Sequence, residues 1–125
     1  MMGVGANHQT DKALHKSIRD EGEPRLFLKP VGGIIQNPSL IVNESKQKVV
    51  CEIELAVVIG KECRNVSESE SLNYVSGYFL SSDLTCFRWK PISAWPDTFY
   101  LKFWEQLTPV SDFVESEKIP NPGNV

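Results

Sequence analysis

Two glutamates separated by one residue stand inside the longest apolar run of the sequence, residues 49–60. The run is rich in β-branched residues and ends at Gly60, which predicts a β-strand. Because side chains alternate across a strand, Glu52 and Glu54 should share one face. Neighbouring carboxylates repel each other and are costly to bury, and a hard divalent cation removes both costs. Glu52 and Glu54 are therefore candidate ligands for Mg²⁺, Mn²⁺ or Ca²⁺.

The same pattern has an ordinary structural interpretation. A Glu-x-Glu pair on a strand is usually a solvated sheet face, with cations opposite. From Leu55 onward both faces of the run are apolar, which predicts burial on both sides. The residues alone leave metal binding and a solvated face open. The side chains expected to point away from the glutamates and into a core are Cys51, Ile53, Leu55, Val57 and Ile59.

A third carboxylate, Asp83, follows residues 78–82, which predict a second strand. An aspartate at a strand end can belong to a site, but it is also a frequent turn former, and the residues alone favour the turn. His8 and His15 lie in a polar segment, where histidines are most often exposed to solvent. Neither histidine is assigned a role on residue type.

A short helix is predicted between these two strands. Ser67 and Glu70 have the spacing of a capping box, and the predicted helix covers residues 68–75. Leu72 and Val75 should face inward, and Gly77 should end the helix. Shorter strands are predicted at residues 1–7 and at 25–30 before a proline, and a last ordered piece is expected to begin at 108–111. These elements predict an α+β fold dominated by strands.

Composition narrows the class of protein. The chain has 125 residues and a net charge of −3, enough length for one domain with a core and no basic excess for nucleic acid. Aromatic residues mixed with cations over 84–106 could stack bases, but net acidity favours packing or a small-molecule pocket. No apolar run reaches the roughly 18 residues of a membrane span. We therefore expect neither nucleic acid nor membrane as a partner.

Cysteine usage and the start of the chain bear on compartment. The three cysteines lack C-x-x-C spacing, which argues against disulfides and zinc and indicates a reducing compartment. Residues 1–16 lack the apolar stretch of a signal peptide and are not a clear transit peptide. We expect a mitochondrial or cytoplasmic protein with no clear targeting segment.

Several motifs, in the same order, resemble one enzyme family. They are EPRLFLKP at 23–30, EIELAVVIGK at 52–61, NVS at 65–67, YVSGY at 74–78, DLT at 83–85 and KIPNP at 118–122. The pattern resembles the fumarylacetoacetate hydrolase superfamily, and within it the acylpyruvase-like or oxaloacetate tautomerase-like branch. The resemblance covers nearly the whole chain.

The resemblance implies a ligand set and a chemistry. Carried over by position, Glu52, Glu54 and Asp83 would bind Mg²⁺ or Mn²⁺. The substrate would be a small 2-oxo acid, an acylpyruvate or oxaloacetate, undergoing C–C hydrolysis, decarboxylation or keto–enol tautomerisation. Lys102 would offset substrate or enolate charge, although it could also be a surface lysine. Lys29 and Arg88 are the residues expected to bind the substrate.

The resemblance also implies an architecture. It indicates the mixed β-roll of this family's C-terminal-like domain, here a partial domain, since the family domain extends by roughly half again. The expected division is an N-terminal segment at 1–23 and a partial catalytic domain at 24–125. Family members are commonly homodimers, so a homodimer is expected here.

The chain departs from the family pattern where the family has a His/Glu pair that activates water. Asp11 and Leu14 stand at those two positions. Phe87 stands where an arginine is expected, with Arg88 one place later, and Cys51 replaces a histidine. Tautomerisation needs this pair less than hydrolysis does. A catalytically impaired remnant that keeps the metal ligands, or pairs with an intact homologue, is the alternative.

Overall fold

The computed structural model describes residues 1–5, 24–36, 48–87, 101–103 and 105–124. Strands dominate it, as the predicted fold class requires. The strands are β1 (Met2–Gly5), β2 (Arg25–Leu28), β3 (Ile34–Gln36), β4 (Lys48–Ile59), β5 (Val75–Phe87), β6 (Thr108–Val110) and β7 (Val114–Glu115). Short 3₁₀ helices cover Val31–Gly33, Glu68–Tyr74, Ser116–Lys118 and Pro122–Asn124. Among these residues no helix has the length and apolarity to cross a bilayer.

A long antiparallel ladder between β4 and β5 is the centre of the fold. Its register begins with Lys48 opposite Phe87 and ends with Ile59 opposite Val75, with one irregularity before Ile59. The β-branched residues of β4 favour this extended pairing, and the strand predicted over 49–60 is confirmed. Asp83 lies inside β5 and not at its end, so the expected strand end and turn there are wrong. The cause is β4, which supplies backbone partners beyond Asp83.

The other strands extend this ladder into a mixed sheet. The strand order is β3-β6-β5-β4, with β3 parallel to β6 and the remaining pairs antiparallel, and β7 also pairs with β5. A separate two-stranded sheet joins β1 to β2. The strands predicted near the start of the chain and at 25–30 are therefore confirmed, and the ordered piece expected to begin at 108–111 starts with strand β6.

The buried side chains of the described residues are mostly polar. Alongside Tyr78, Cys86, Pro109 and Val110, the buried group contains Lys29, Ser81, Asp83, Thr85, Lys102 and Thr108. Phe79 packs on Phe113 with ring centroids 5.4 Å apart. The interior of the described structure is therefore built around charged and hydroxyl groups, with a small apolar contribution.

The outer face of β4 is open, and the prediction that it faces a core is wrong. Ile53 and Ile59 are 56% and 58% exposed, Cys51 and Val57 are also exposed, and only Leu55 is half-buried. The prediction that both faces of the strand are buried beyond Leu55 is also wrong, because Val57 and Ile59 are exposed. Lys29 and Lys102 pack on the other face, the one that carries Asp83. The alternation of the strand therefore leaves Ile53, Val57 and Ile59 toward solvent.

The segment between β4 and β5 forms a 3₁₀ helix at the predicted place. The Ser67 hydroxyl donates to the Glu70 carboxylate at 2.6 Å, and no side-chain bond caps the backbone. Leu72 is 54% exposed, and Gly77 lies within β5, so the inward Leu72 and the helix-ending Gly77 are both wrong. A helix this short ends directly in the next strand and buries no apolar face.

Gly77 allows β5 to approach β7 closely. A Cβ atom at this position would overlap the Val114 carbonyl oxygen and the Phe113 ring. We predict that Gly77→Ala lowers the free energy of unfolding by about 1–3 kcal/mol, because backbone and ring must both shift. Urea denaturation followed by circular dichroism measures it.

Gly32→Ala is the matched control, because a Cβ atom there meets nothing within 4 Å. It should change stability by no more than about 0.5 kcal/mol. Equal effects of the two substitutions would contradict the close packing of β5 against β7.

Candidate active site

Three carboxylates face the same side of the β4–β5 ladder. Glu52 lies directly opposite Asp83, and Glu54 lies opposite Ser81. Directly opposed residues in an antiparallel pair have Cβ atoms about 4.5–5.5 Å apart and project to the same face. Sequence alternation on β4 thus places Glu52 and Glu54 together, and the register adds Asp83, which is 5% exposed.

The Asp83 carboxylate is held between two ammonium groups. Lys29 Nζ donates to Oδ1, and Lys102 Nζ donates to Oδ2. Both lysines are buried, at 2% and 8% exposure. A carboxylate desolvated to this extent is costly unless it is paired and hydrogen-bonded. The two lysine charges match those of the two carboxylates that they contact, Asp83 and Glu52.

Lys29 follows β2 directly and has no donor left over. Besides Asp83, its ammonium donates to the Leu84 carbonyl at 3.2 Å and to the Leu107 carbonyl at 2.6 Å. A lysine ammonium has three N–H groups, and all three are used. Gln106, at a left-handed φ of 61°, forms the turn that precedes Leu107. Burial lowers the pKa of the Lys29 ammonium from its ordinary value, although the hydrogen bond and charge of Asp83 oppose this shift.

Lys102 has a second carboxylate and an aromatic ring as neighbours. Its Nζ is 3.4 Å from Glu52 Oε2 and 4.5 Å from the centroid of the Phe27 ring, within cation–π range. Phe27 pairs with Gly3 across the β1–β2 sheet, and a Cβ atom at Gly3 would overlap the Phe27 ring. A glycine on β1 thus makes room for the ring against which Lys102 lies.

Sequence reasoning gave Phe27 no role. The available signal was its position two residues before Lys29, because residues i and i+2 of an extended chain lie on one side. The predicted site residues Glu52, Asp83, Lys29 and Lys102 are brought together, and Glu54 lies one step along β4. Arg88, the two histidines, Asp11 and Leu14 lie outside the described residues.

The donor chemistry of this face suits a hard cation. Within the described ranges, no three histidine, cysteine, aspartate or glutamate side chains stand close enough to hold a metal ion as placed. Instead the Lys102 ammonium contacts oxygens of both Glu52 and Asp83, so a positive charge already lies between two of the predicted ligands. Carboxylate oxygens are what Mg²⁺ and Mn²⁺ prefer. In donor type the residues fit a divalent cation, and holding one would require the carboxylates to approach one another and the Lys102 ammonium to move away.

A family profile described as fumarylacetoacetate (FAA) hydrolase C-terminal matches residues 1–125. The chain belongs to the fumarylacetoacetate hydrolase family. The resemblance carried by the sequence motifs is therefore confirmed. The chain is also 37% identical, over 98% of its length, to a mitochondrial oxaloacetate tautomerase of Bos taurus, of which it covers 56%. It spans about half the length of the curated relatives it matches.

Solved structures of the fumarylacetoacetate hydrolase family share the fold. A putative family member from Yersinia pestis superposes with a TM-score of 0.67 at 25% identity, covering 96% of this chain and 56% of the other. A fumarylpyruvate hydrolase from Pseudomonas aeruginosa, in complex with Mn²⁺ and pyruvate, gives a TM-score of 0.60 at 20% identity, covering 84% and 51%. These similarities agree with the predicted architecture of this family's domain.

The Asp83 and Glu52 carboxylates should differ in their contribution to stability. We predict that Asp83→Asn lowers the free energy of unfolding by about 3–5 kcal/mol, because it leaves the buried Lys29 ammonium without a counter-charge and leaves Lys102 with only its 3.4 Å contact to Glu52. Chemical denaturation monitored by tryptophan fluorescence measures the change.

Glu52→Gln serves as the control, since the Glu52 side chain is 55% exposed and its contact with Lys102 is 3.4 Å. Its cost should stay below about 1 kcal/mol, as for partly solvated ion pairs. If Asp83→Asn were as mild as Glu52→Gln, the buried double ion pair would not be the main electrostatic contact of the fold.

Proposed function

We propose that this chain binds Mg²⁺ or Mn²⁺ through Glu52, Glu54 and Asp83 and acts on a small 2-oxo acid, with keto–enol tautomerisation of oxaloacetate as the favoured reaction. The observation that carries the proposal is the register that sets Glu52 opposite Asp83, with the Lys102 ammonium against both carboxylates. The 37% identity to an oxaloacetate tautomerase supports the substrate class. C–C hydrolysis of acylpyruvates and decarboxylation are the other reactions considered.

A divalent cation bound here would polarise the 2-oxo group of the substrate as a Lewis acid. The remaining work belongs to side chains of this protein. Lys102 offers a positive charge to the oxygen that becomes negative as the enolate forms. Asp83 is fixed by Lys29, so its oxygen does not need to reorganise during the reaction. The Phe27 ring keeps the cationic end of Lys102 within the site.

Tautomerisation is favoured over hydrolysis by the sequence at the start of the chain. Hydrolysis requires a base that removes a proton from water, and Asp11 and Leu14 stand where the family has its His/Glu pair. Moving a proton between carbon and oxygen of the substrate adds no water. A chain without the usual pair therefore retains more of the tautomerase chemistry than of the hydrolase chemistry.

The compartment and assembly are part of the same proposal. The tautomerase of Bos taurus is mitochondrial by name, which supports a mitochondrial location for this protein. Assembly as a homodimer would also cover apolar side chains on the outer face of β4, where Ile53 and Ile59 are exposed. Sedimentation equilibrium of the purified chain tests the dimer.

The enzymatic proposal is tested by following the ultraviolet absorbance of enol-oxaloacetate as it decays in the presence of Mg²⁺. The wild-type chain should accelerate the decay. Lys102→Met should lower kcat on the order of 100-fold, as expected when a preorganised charge facing an oxyanion is removed. Glu52→Gln should raise the Mg²⁺ concentration for half-maximal rate by roughly tenfold or more, because a ligand oxygen becomes a poorer donor.

Glu62→Gln is the matched control, since Glu62 is an exposed glutamate in the connection after β4. It should leave both quantities unchanged. A wild-type chain that gives no Mg²⁺-dependent acceleration on oxaloacetate or acylpyruvates would overturn the enzymatic assignment.

The second candidate is a metal-binding protein without turnover, one that could pair with an intact homologue. The same replacements at Asp11 and Leu14 favour it, and so does the open apolar face of β4. Calorimetric titration with Mn²⁺ separates the two candidates. Binding that Glu52→Gln weakens, without any turnover, supports the second candidate, and turnover eliminates it.

A further inference from the structure

The two lysines on Asp83 differ in what else they hold. Lys29 donates to two backbone carbonyls as well as to the carboxylate, all within the interior. Among the described residues, the Lys102 ammonium contacts side chains: the carboxylates of Asp83 and Glu52 and the face of the Phe27 ring. Lys29 cannot leave without stranding backbone acceptors, whereas Lys102 can withdraw along a ring that still attracts it.

We propose that Lys102 is a displaceable internal cation. Its ammonium occupies the carboxylate oxygens of Glu52 and Asp83 until a divalent cation binds them, and metal loading releases it toward the substrate. This inference rests on the proposed function, because it uses the same ligands. It adds a competition between Lys102 and the metal for the same two oxygens.

The contacts of Asp83 and Glu52 put Lys102 in competition with a metal ion for the same oxygens. Asp83 Oδ1 is bound by Lys29, and Asp83 Oδ2 is the oxygen that Lys102 holds. Glu52, the second proposed ligand, directs its Oε2 at the same ammonium, 3.4 Å away. A metal ion brought to the same oxygens would repel the ammonium, so the two cations compete for them. Binding of the metal and withdrawal of Lys102 are thus a single equilibrium, and each drives the other.

The Phe27 ring determines where the released ammonium goes. Its centroid is 4.5 Å from Lys102 Nζ, so the ring attracts the cation in both positions. This keeps the released ammonium beside the site. Lys102 then has two roles. Together with Lys29 it balances the carboxylates when the metal is absent, and it faces the substrate when the metal is bound.

The test is calorimetric titration of the full chain with Mn²⁺ alone. Lys102→Met removes the competitor and its charge, so Mn²⁺ should bind roughly tenfold tighter or more. Lys102→Arg keeps a competing cation, and its affinity should stay near that of the wild type or below it. Lys61→Met makes the same change in net charge at an exposed lysine after β4, and it should not alter the affinity.

A measurement on the unmutated chain makes the test independent of how the variants fold. Acetylation of lysines by a small anhydride, mapped by mass spectrometry, should modify Lys102 several-fold faster with saturating Mg²⁺ than without it. Modification of Lys61 should be the same in both conditions. Lower or unchanged reactivity of Lys102 on Mg²⁺ loading would overturn the release.

The outcomes separate this inference from the proposed function. Wild-type binding of Mn²⁺ that Glu52→Gln weakens but Lys102→Met does not strengthen overturns the displacement and leaves the metal site in place. An absence of binding in both the wild type and Lys102→Met overturns both proposals. Tighter binding by Lys102→Met together with faster acetylation of Lys102 supports the displacement.

Discussion

The buried Asp83 carboxylate is the group on which the described structure depends. It needs compensation from both sides, and the chain provides it from distant segments, since Lys29 and Lys102 are 54 and 19 residues away. The same Lys29 ammonium binds the carbonyls of Leu84 and Leu107, so the end of β2, the middle of β5 and the approach to β6 are held at one point. In most domains of this size an apolar core holds such separate segments together. Here an electrostatic cluster takes a large share of that role.

Charge balance also explains how a lysine and the proposed metal ligands can occupy one place. Carboxylates crowded on one face of a sheet require positive charge whether or not a metal is bound. Lys102 supplies it from a position that also suits an electrophilic role toward an enolate. A protein that relied on the metal alone for this compensation would be less stable whenever the metal dissociated.

Local sequence patterns predicted the positions of the strands better than they predicted the burial of the side chains on them. The β-branched run gave β4, and alternation put Glu52 and Glu54 on one face, because both follow from the strand alone. The burial of Ile53 and Ile59 was misjudged, because an apolar side chain does not reveal whether another layer covers it. Asp83 was expected at a strand end, since the length of β5 is set by its partner strand. No sequence periodicity predicts the contact between Lys29 and Asp83, because the two residues are 54 positions apart. The family resemblance alone pointed to Asp83 as a ligand.

Gly3 connects the first strand to the proposed site through two successive contacts, from Gly3 to Phe27 and from Phe27 to Lys102. Its missing side chain is the space that the Phe27 ring fills, and that ring carries the Lys102 ammonium on its face. Even a methyl group at residue 3 would tilt the aromatic plane and redirect the charge that rests on it. Under the proposed function, residue 3 is therefore constrained by the position of a charge in the site as well as by folding, even though no atom of Gly3 needs to meet a substrate.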